Sequence, residues 1–418
     1  MPGPSPRSHG RRAAGVVLAV GAVVSSLLGP ARAFTLSPPP AVQAIVQFWD
    51  GGTAIEAGLL QTLGGTVIRP LPIVGGFAAT LPSAALSTLA ADLRVRAISP
   101  DVPVYAQEVP SDGGPASVYA SAVDAGTTPT TGAGVTVAVV DTGVADVPDL
   151  HDRLVQVDGA PCVNFSTEPG CADGVGHGTF VAGVVAGTGA SSAGEYTGIA
   201  PGADILAVKM AASDGRSSVS QVLAALQWVV ANRDRYGIRV VNLSLRTSSP
   251  LSWRLDPMNV AVEQAWAAGL VVVVSAGNLG PGGGSIAKPA DDPWVISVGS
   301  TDDHGTPTLD DDSLPDYSSR GPTAADGLSK PDVVAPGNHL ISLRSPGSTA
   351  DQRYPNFVGD GYRRGSGTSF SAGIVSGAAA VLLSAAPSAS NDRVKFALTS
   401  TAHPLAGLGA YDQGAGVV

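Results

Sequence analysis

Apolar residues along this chain follow two patterns. Near-continuous apolar runs of four to six residues are typical of strands that are buried on both faces of a parallel sheet. The runs that we interpret as strands lie at residues 135–140, 205–208, 240–245 and 271–275. Between the second and third runs, apolar residues recur every three or four positions from Val219 to Val230, which predicts an amphipathic helix. Strands that alternate with helices in this way indicate an α/β fold with a doubly wound, mostly parallel sheet.

A shorter pattern precedes this unit. Strand-like segments at 42–48, 66–68, 76–81 and 95–98 enclose helical segments at 55–63 and 86–93. Two β-α-β halves of this size predict a small α+β unit from about residue 41 to residue 106. Residues 107–131 are rich in Gly, Ser, Pro and Thr, which indicates a linker and a processing region. The larger unit then begins at about Gly132.

The N-terminus has the pattern of an export signal. Basic residues are followed by an apolar run over 13–28, and Ala31-Arg32-Ala33 has the small-x-small form of a signal-peptidase site. The run is short for a membrane span. We therefore expect residues 1–33 to be removed and the protein to be secreted.

The charge and the cysteine content of the chain exclude further classes of protein. The 418 residues carry a net charge of −10 and no Lys/Arg cluster in the body of the chain, so we expect no nucleic-acid partner. Cys162 and Cys171 have neither Cys-x-x-Cys spacing nor a neighbouring His, which argues against redox or metal chemistry. One local disulfide in an exported, monomeric protein is the better interpretation.

Two polar residues stand out beside the predicted strands. Asp141 ends the first apolar run, at the sheet edge where functional residues gather in doubly wound folds. His177 is flanked by glycines and begins a helical run, which leaves room beside the ring for a general base to reach a nucleophile. Each motif alone has a structural alternative: a capping Asp or a core His.

Two further motifs complete the set. Ser369 follows Gly367-Thr368 at the start of an Ala-rich helix, where backbone amides favour a developing negative charge. Ser366 and Ser371 are local rivals as nucleophile, and an N-cap role is the structural alternative. Asn278 lies just past the strand at 271–275, where its amide can donate to an oxyanion.

These motifs occur in the order Asp, His, Ser, which is the order in subtilisin and differs from that in α/β-hydrolases. Asp-Thr-Gly at Asp141, His-Gly-Thr-Phe-Val-Ala-Gly at His177 and Gly-Thr-Ser-Phe-Ser-Ala around Ser369 resemble the signature segments of the subtilisin-like serine peptidases. The resemblance implies a subtilisin-like fold and a Ser369–His177–Asp141 triad with Asn278 in the oxyanion hole. It argues against a lipase or esterase, whose nucleophile comes first.

The small unit is similar to the inhibitor-like propeptide of these enzymes, through Gly75-Gly76-Phe77 and Ile98-Ser99-Pro100-Asp101. After the signal peptide at 1–33, the resemblance implies a ferredoxin-like propeptide over 34–108 that inhibits the enzyme and aids its folding, and a peptidase domain over 109–418. We expect the precursor to be cut between Tyr105 and Pro115. Relatives usually continue past a segment like Gly414–Val418, so a missing C-terminal helix, anchor or further domain is left open.

The resemblance also assigns binding residues. Substrate is expected along an exposed strand edge and beside the oxyanion hole, at Ser244, Leu245, Arg246, Ala276 and Gly277. Arg246 and Thr247 stand where the family often has glycines. Asp149 matches a family calcium ligand, but the companion loop at 188–195 lacks the usual Asn-rich pattern, so calcium is left open and no other cofactor is expected.

The resulting function is a secreted serine endopeptidase that acts on proteins or peptides and matures from a zymogen. Two alternatives stay open: a dedicated processing peptidase with a narrow substrate range, and a subtilase-like binding scaffold without turnover. Because no charge is obvious near the primary pocket, apolar or large residues are favoured before the cut bond.

Overall fold

The computed structural model of the protein describes residues 40–106, 108–110, 113–127 and 129–418. These residues form two compact units. The smaller comprises 40–70 and Gly75–Pro100, and the larger comprises Leu71–Val74 and Asp101–Val418. The predicted signal peptide lies outside the described residues.

The smaller unit has the element order β-α-β-β-α-β. Its elements are β1 (Ala41–Phe48), α1 (Ala54–Thr62), β2 (Thr66–Leu71), β3 (Gly76–Pro82), α2 (Ala85–Ala91) and β4 (Val95–Pro100). The strands form one sheet in the order β2-β3-β1-β4, and β1 pairs antiparallel with both of its neighbours. This is the split β-α-β arrangement of ferredoxin-like folds. Buried apolar side chains from both layers, such as Val46, Leu60 and Phe77, form its core.

The larger unit contains the remaining elements. Its strands are β5 (Pro103–Ala106), β6 (Thr136–Asp141), β7 (Val163–Asn164), β8 (Asp204–Lys209), β9 (Ser217–Ser218), β10 (Ile238–Leu243), β11 (Leu245–Arg246), β12 (Val271–Ser275), β13 (Ile296–Thr301), β14 (Val333–Pro336), β15 (Leu340–Leu343), β16 (Phe357–Val358) and β17 (Tyr362–Gly365). Its helices are α3 (Tyr119–Ala122), α4 (His177–Ala186), α5 (Val219–Asn232), α6 (Pro257–Ala267), α7 (Thr349–Arg353), α8 (Thr368–Ala385), α9 (Asn391–Thr401) and α10 (Ala410–Gln413).

Seven strands form the central sheet, in the order β14-β13-β12-β10-β6-β8-β7. Every pairing between them is parallel. All six residues of β6 and all five of β12 are buried, as their apolar runs predicted. Helices α4 and α8 pack together against the sheet, and α5 and α6 form a second helical pair that also packs on it. The doubly wound α/β prediction is confirmed.

The strand order indicates at which point of the sheet a functional site is expected. Strand β6 comes first in the sequence but lies inside the sheet, with β8 on one side and β10 on the other. The order therefore reverses beside β6, and in such sheets ligands bind past the carboxyl ends of the strands at that point. Asp141 ends β6, and Asn278 follows β12. The two motifs thus lie at one edge of the sheet.

One predicted strand is interrupted. The apolar run at 240–245 is divided at Ser244, where β10 ends and the chain turns out of the sheet into β11. The Ser244 side chain, which is buried, donates to the backbone oxygen of Ser369 over 2.8 Å. Hydrophobicity could not reveal this break, because Leu243 and Leu245 on either side are both buried.

Helix α8 is the one helix in the described part of the chain that is long and apolar enough to cross a membrane. Its residues from Thr368 to Gly377 are all buried, as is 72% of the apolar window. This burial inside the protein identifies it as the central helix of the core.

Cys162 and Cys171 form the predicted disulfide, with their Cα atoms 5.7 Å apart. The loop that it closes ends two residues before Asp173. Lys209 Nζ donates to the Ala172 carbonyl over 2.7 Å and holds this end of the loop against β8.

Candidate active site

Asp141 and His177 form a buried pair at the carboxyl end of β6. The imidazole Nδ1 lies 2.7 Å from Asp141 Oδ1. The side chain of Asp141 is 0% exposed and that of His177 is 2% exposed. His177 begins α4 beside Gly178, where a Cβ atom would lie 2.1 Å from the Gly143 carbonyl oxygen. Glycine at 178 therefore allows the helix to approach the loop after β6 closely.

The other imidazole nitrogen, Nε2, is buried and has no hydrogen-bond partner among the described residues. Burial disfavours the charged imidazolium, but the charge and hydrogen bond of Asp141 outweigh burial, so the pKa of His177 lies above its ordinary value. Glu108 raises this pKa further, and the guanidinium of Arg363 lowers it. The ring is thus held through Nδ1 while Nε2 remains available as a base.

Asp173 holds this pair in place and was missed by the sequence analysis. Its Oδ1 accepts from Thr142 Oγ1 and from the Gly176 amide, at 2.7 and 2.8 Å. Its Oδ2 accepts from the amide and hydroxyl of Thr179, at 2.9 and 2.6 Å. Asp173 therefore joins the loop after Asp141 to the first turn of the His177 helix. The N-cap position of α4 is Gly176, so Asp173 lies outside the local capping pattern and no local signal indicates its role.

Ser369 lies in the first turn of α8 and is 1% exposed. Its hydroxyl lies 3.4 Å from the Ser244 carbonyl oxygen. The ring of the next residue, Phe370, has its centroid 5.6 Å from that of the imidazole, which places the start of α8 beside His177. The rival serines have other partners: Ser366 Oγ accepts from the His339 amide, and Ser371 Oγ lies 2.8 Å from Ser300 Oγ.

Asn278 is oriented by the residue before Ser369. Its Oδ1 accepts from the amide and the hydroxyl of Thr368, at 3.0 and 2.8 Å. These bonds identify the oxygen end of the amide and turn the Nδ2 end away from Thr368. Gly277, whose φ is +108°, makes the sharp turn that presents Asn278 after β12. The structure therefore brings Asn278 to the Ser369 turn.

The predicted substrate edge is paired with the protein's own chain. Strand β5 lies in the middle of a three-stranded sheet, between β11 and β9. Leu245 pairs with Ala106 and Arg246 with Tyr105, both antiparallel. On the other side Val104 pairs with Ser217. The sequence indicated the β11 edge but not β9, because two serines before a helix give no strand signal.

The described chain resumes at Glu108 and contacts the segment just before Ser369. The Val109 amide donates to the Ser366 carbonyl over 2.8 Å. Ala106 is thus paired next to Ser244, whose carbonyl oxygen lies near Ser369, and Val109 is paired with a residue three positions before Ser369. Gln107 is outside the described residues. Of the other predicted binding residues, Ala276 is buried behind Asn278, and its carbonyl accepts from the Ala287 amide over 2.9 Å.

Asp149, the residue considered for calcium, has its carboxylate surrounded by hydrogen-bond donors. Tyr362 donates its hydroxyl to Oδ1 over 2.5 Å, and the hydroxyl and amide of Ser191 donate to Oδ2 over 2.5 and 3.1 Å. Burial and this bond raise the pKa of Tyr362 above its ordinary value. No group of three or more His, Cys, Asp or Glu that could hold a metal occurs in the described residues. Donors around a lone carboxylate do not fit a calcium ion, which requires several oxygen acceptors.

We therefore expect EGTA to leave the melting temperature unchanged, because hydrogen bonds occupy the position where an ion would bind Asp149. Differential scanning calorimetry with and without the chelator measures this. A fall in the melting temperature that added calcium reverses would contradict it.

Comparison with known proteins places these features in a family. The sequence profile of the subtilase family matches residues 132–417. Serine protease AprX of Bacillus subtilis is 43% identical over 272 residues, which are 63% of this chain and 60% of AprX. Subtilisin BL of Lederbergia lenta is 36% identical over 68% of this chain and 89% of its own length.

Solved structures agree on the fold. Fervidolysin from Fervidobacterium pennivorans, a keratinolytic enzyme related to subtilisin, superposes with a TM-score of 0.71 at 24% identity and covers 92% of this chain and 61% of its own. Sphericase superposes with a TM-score of 0.58 at 28% identity, over 75% of this chain and 98% of its own. The subtilisin-like fold that the resemblance implied is confirmed. With its Asp, His and Ser motifs gathered at one edge of that fold, this chain belongs to the subtilase family.

Proposed function

We propose that the protein is a secreted serine endopeptidase that hydrolyses peptide bonds in proteins and is made as a self-processing zymogen. The observation that carries this proposal is the pairing of residues 103–106. They lie as a strand between β11 and β9, as an extended substrate would by β-augmentation, and β11 directly follows Ser244, whose carbonyl oxygen lies 3.4 Å from Ser369 Oγ. The bond from the Val109 amide to the Ser366 carbonyl, on the other side of Gln107, supports cleavage within a polypeptide.

The side chains supply each step without an organic cofactor. Ser369 Oγ attacks the peptide carbonyl carbon, and its proton passes to Nε2 of His177, while Asp141 stabilises the imidazolium. The Asn278 amide and the Ser369 backbone N–H stabilise the oxyanion. The imidazolium then protonates the leaving amine, and water, deprotonated by His177, releases the acyl group and regenerates Ser369.

The proposal predicts where the precursor is cut. Because Ala106 is paired next to Ser244 and Val109 is bonded to Ser366, both near Ser369, we expect the cut next to Gln107, so that the new N-terminus is Gln107 or Glu108, within the window between Tyr105 and Pro115. N-terminal sequencing of secreted, active protein measures this, and the Ser369→Ala precursor, which should stay uncut, is the control. Fully active protein that still begins at Phe34 would contradict self-processing.

Asn278→Ala should lower kcat by about 100- to 1000-fold and change KM little, the range known for the oxyanion asparagine of subtilisin. The reason is that the oxyanion forms only after attack, so the donor acts on the transition state. Steady-state kinetics on a peptide substrate measure the effect. Asn338→Ala is the matched control, because Asn338 donates to Asp302 instead. An unchanged kcat in Asn278→Ala would remove Asn278 from the mechanism.

Export and the propeptide role of the smaller unit are part of the proposal. The signal-like N-terminus and the disulfide support an extracellular location, and the ferredoxin-like topology of residues 41–100 supports an inhibitory propeptide. A narrow processing role remains the second candidate function. Cleavage of a peptide library separates the two, since a broad degrader cuts many sequences and a processing enzyme few.

A further inference from the structure

The chain that follows the proposed cut carries a buried acidic side chain. Glu108 is bound by both terminal nitrogens of Arg363, which lies on β17. Arg363 Nη2 lies 2.9 Å from Oε2, and Nη1 donates to Oε1. The side chains are 8% and 0% exposed. A bidentate Arg–carboxylate pair of this kind is both strong and selective in geometry.

Arg363 is built into the wall of the candidate active site. Its guanidinium lies 4.6 Å from the ring centroid of Phe180, and Phe180 lies 4.1 Å from Phe370. The Phe370 ring in turn packs against the imidazole of His177. Nη2 also approaches the carbonyl oxygen of Gly176 at 3.4 Å. The carboxylate is therefore bound next to the proposed base, on the side where the leaving part of a substrate lies.

The strand also leaves space for the carboxylate. A Cβ atom at Gly365 would lie 3.0 Å from Glu108 Oε1 and 2.8 Å from Phe370 Cε2. A glycine at this position thus keeps open the pocket that Glu108 fills.

Removal of Glu108 changes the charge balance of this pocket. Among the described residues, Glu108 is the one carboxylate that forms an ion pair with Arg363, and Arg363 Nε has no hydrogen-bond partner. A guanidinium cannot lose its proton in a protein, so without Glu108 the site would hold a buried, unpaired cation. Such a state is strongly unfavourable. An incoming carboxylate restores the pairing, whereas a neutral or basic side chain does not.

We infer that Arg363 is a specificity-determining residue that selects protein substrates with a glutamate just after the cut bond. Because only Gln107 separates Ala106 from Glu108, this glutamate is the first or second residue of the leaving part. The inference rests on the proposed function, and it names the class of sequence that this site favours.

The test compares three internally quenched peptides that reproduce residues 103–110 and differ only at the position of Glu108, which is Glu, Gln or Lys. With the activated full-length protein, kcat/KM for Glu should exceed that for Gln by about 10- to 100-fold, the value of hydrogen bonds to a charged group. Lys should be cut more slowly than Gln. Equal rates for the three peptides overturn the inference. Equal rates would also result if Glu108 of the mature N-terminus stayed bound to Arg363 and blocked the pocket, and in that case too Arg363 would not select substrates.

Variants assign the preference to one side chain. Arg363→Gln should bring the Glu/Gln ratio close to one, and Arg363→Lys should retain part of it. Arg364→Gln is the matched control, because Arg364 is the neighbour on β17 and donates to the Gly114 carbonyl instead. It should leave the ratio unchanged. If Arg363→Gln fails to fold, the wild-type series together with Arg363→Lys decides the matter.

The same experiment tests the proposed peptidase function and the proposed substrate preference separately. Protein that is not labelled by a fluorophosphonate and cuts none of the peptides removes the proposed function and the inference together. Labelled protein that cuts all three equally, or none of them, retains the nucleophile and removes only the specificity.

Discussion

Replacing Ser369 with alanine should lower kcat by about a millionfold, as loss of the nucleophile does in subtilisin. The expected size follows from the loss of the covalent route: without Oγ no acyl intermediate forms, and only oxyanion stabilisation and binding remain. Ser369→Ala should also lose labelling by a fluorophosphonate. Single-turnover hydrolysis of a peptide and gel detection of the probe measure both effects.

The rival serines provide the control for this variant. Ser371→Ala removes a hydroxyl two residues away in the same helix, one that bonds to Ser300. It should keep both activity and labelling. Labelling that survives in Ser369→Ala and disappears in Ser371→Ala would show that the nucleophile is Ser371 and not Ser369. Wild-type protein that takes no label would favour the alternative of a binding scaffold without turnover.

Asp141→Asn should lower kcat by about 10⁴-fold at neutral pH, the effect of the same change in a chymotrypsin-like Ser-His-Asp enzyme. An asparagine amide can donate to Nδ1, which stabilises the tautomer that leaves a proton on Nε2. It also removes the negative charge that stabilises the imidazolium during attack. Steady-state kinetics across a range of pH measure the loss.

The pH profile gives this variant a second readout. Asp141 raises the pKa of His177, so its neutralisation should lower that pKa. The base then stays unprotonated to lower pH, and the acid limb of kcat/KM should move to lower pH. Asp146→Asn is the matched control, because Asp146 pairs with His151 at 2.8 Å on the surface. It should change neither the rate nor the limb. An acid limb that stays in place in Asp141→Asn would show that His177 is not the group that titrates.

Much of the fold could be predicted because a strand buried on both faces consists of consecutive apolar residues, which are visible in the sequence. The run at 271–275 coincides with β12, and the run at 135–140 differs from β6 by one residue. Strand β13 escaped notice because Ser and Gly interrupt its apolar residues, and β14 because its apolar run has only three residues before Pro336. These polar side chains are satisfied by partners far along the chain, such as Asp332 for Ser297. A pattern of hydrophobicity within one segment does not contain that information.

The sequence by itself determined the sheet class, the disulfide and the motifs that identify the family, because each is recorded within a few neighbouring residues. Only the tertiary structure showed that Asp173 joins the Asp141 and His177 loops, that residues 103–106 occupy the edge beside Ser369, and that Glu108 meets Arg363. The last two residues are 255 positions apart. The physical reason is that an ion pair or an added strand depends on where separate loops meet in space, and nothing in the local sequence of either loop specifies its distant partner.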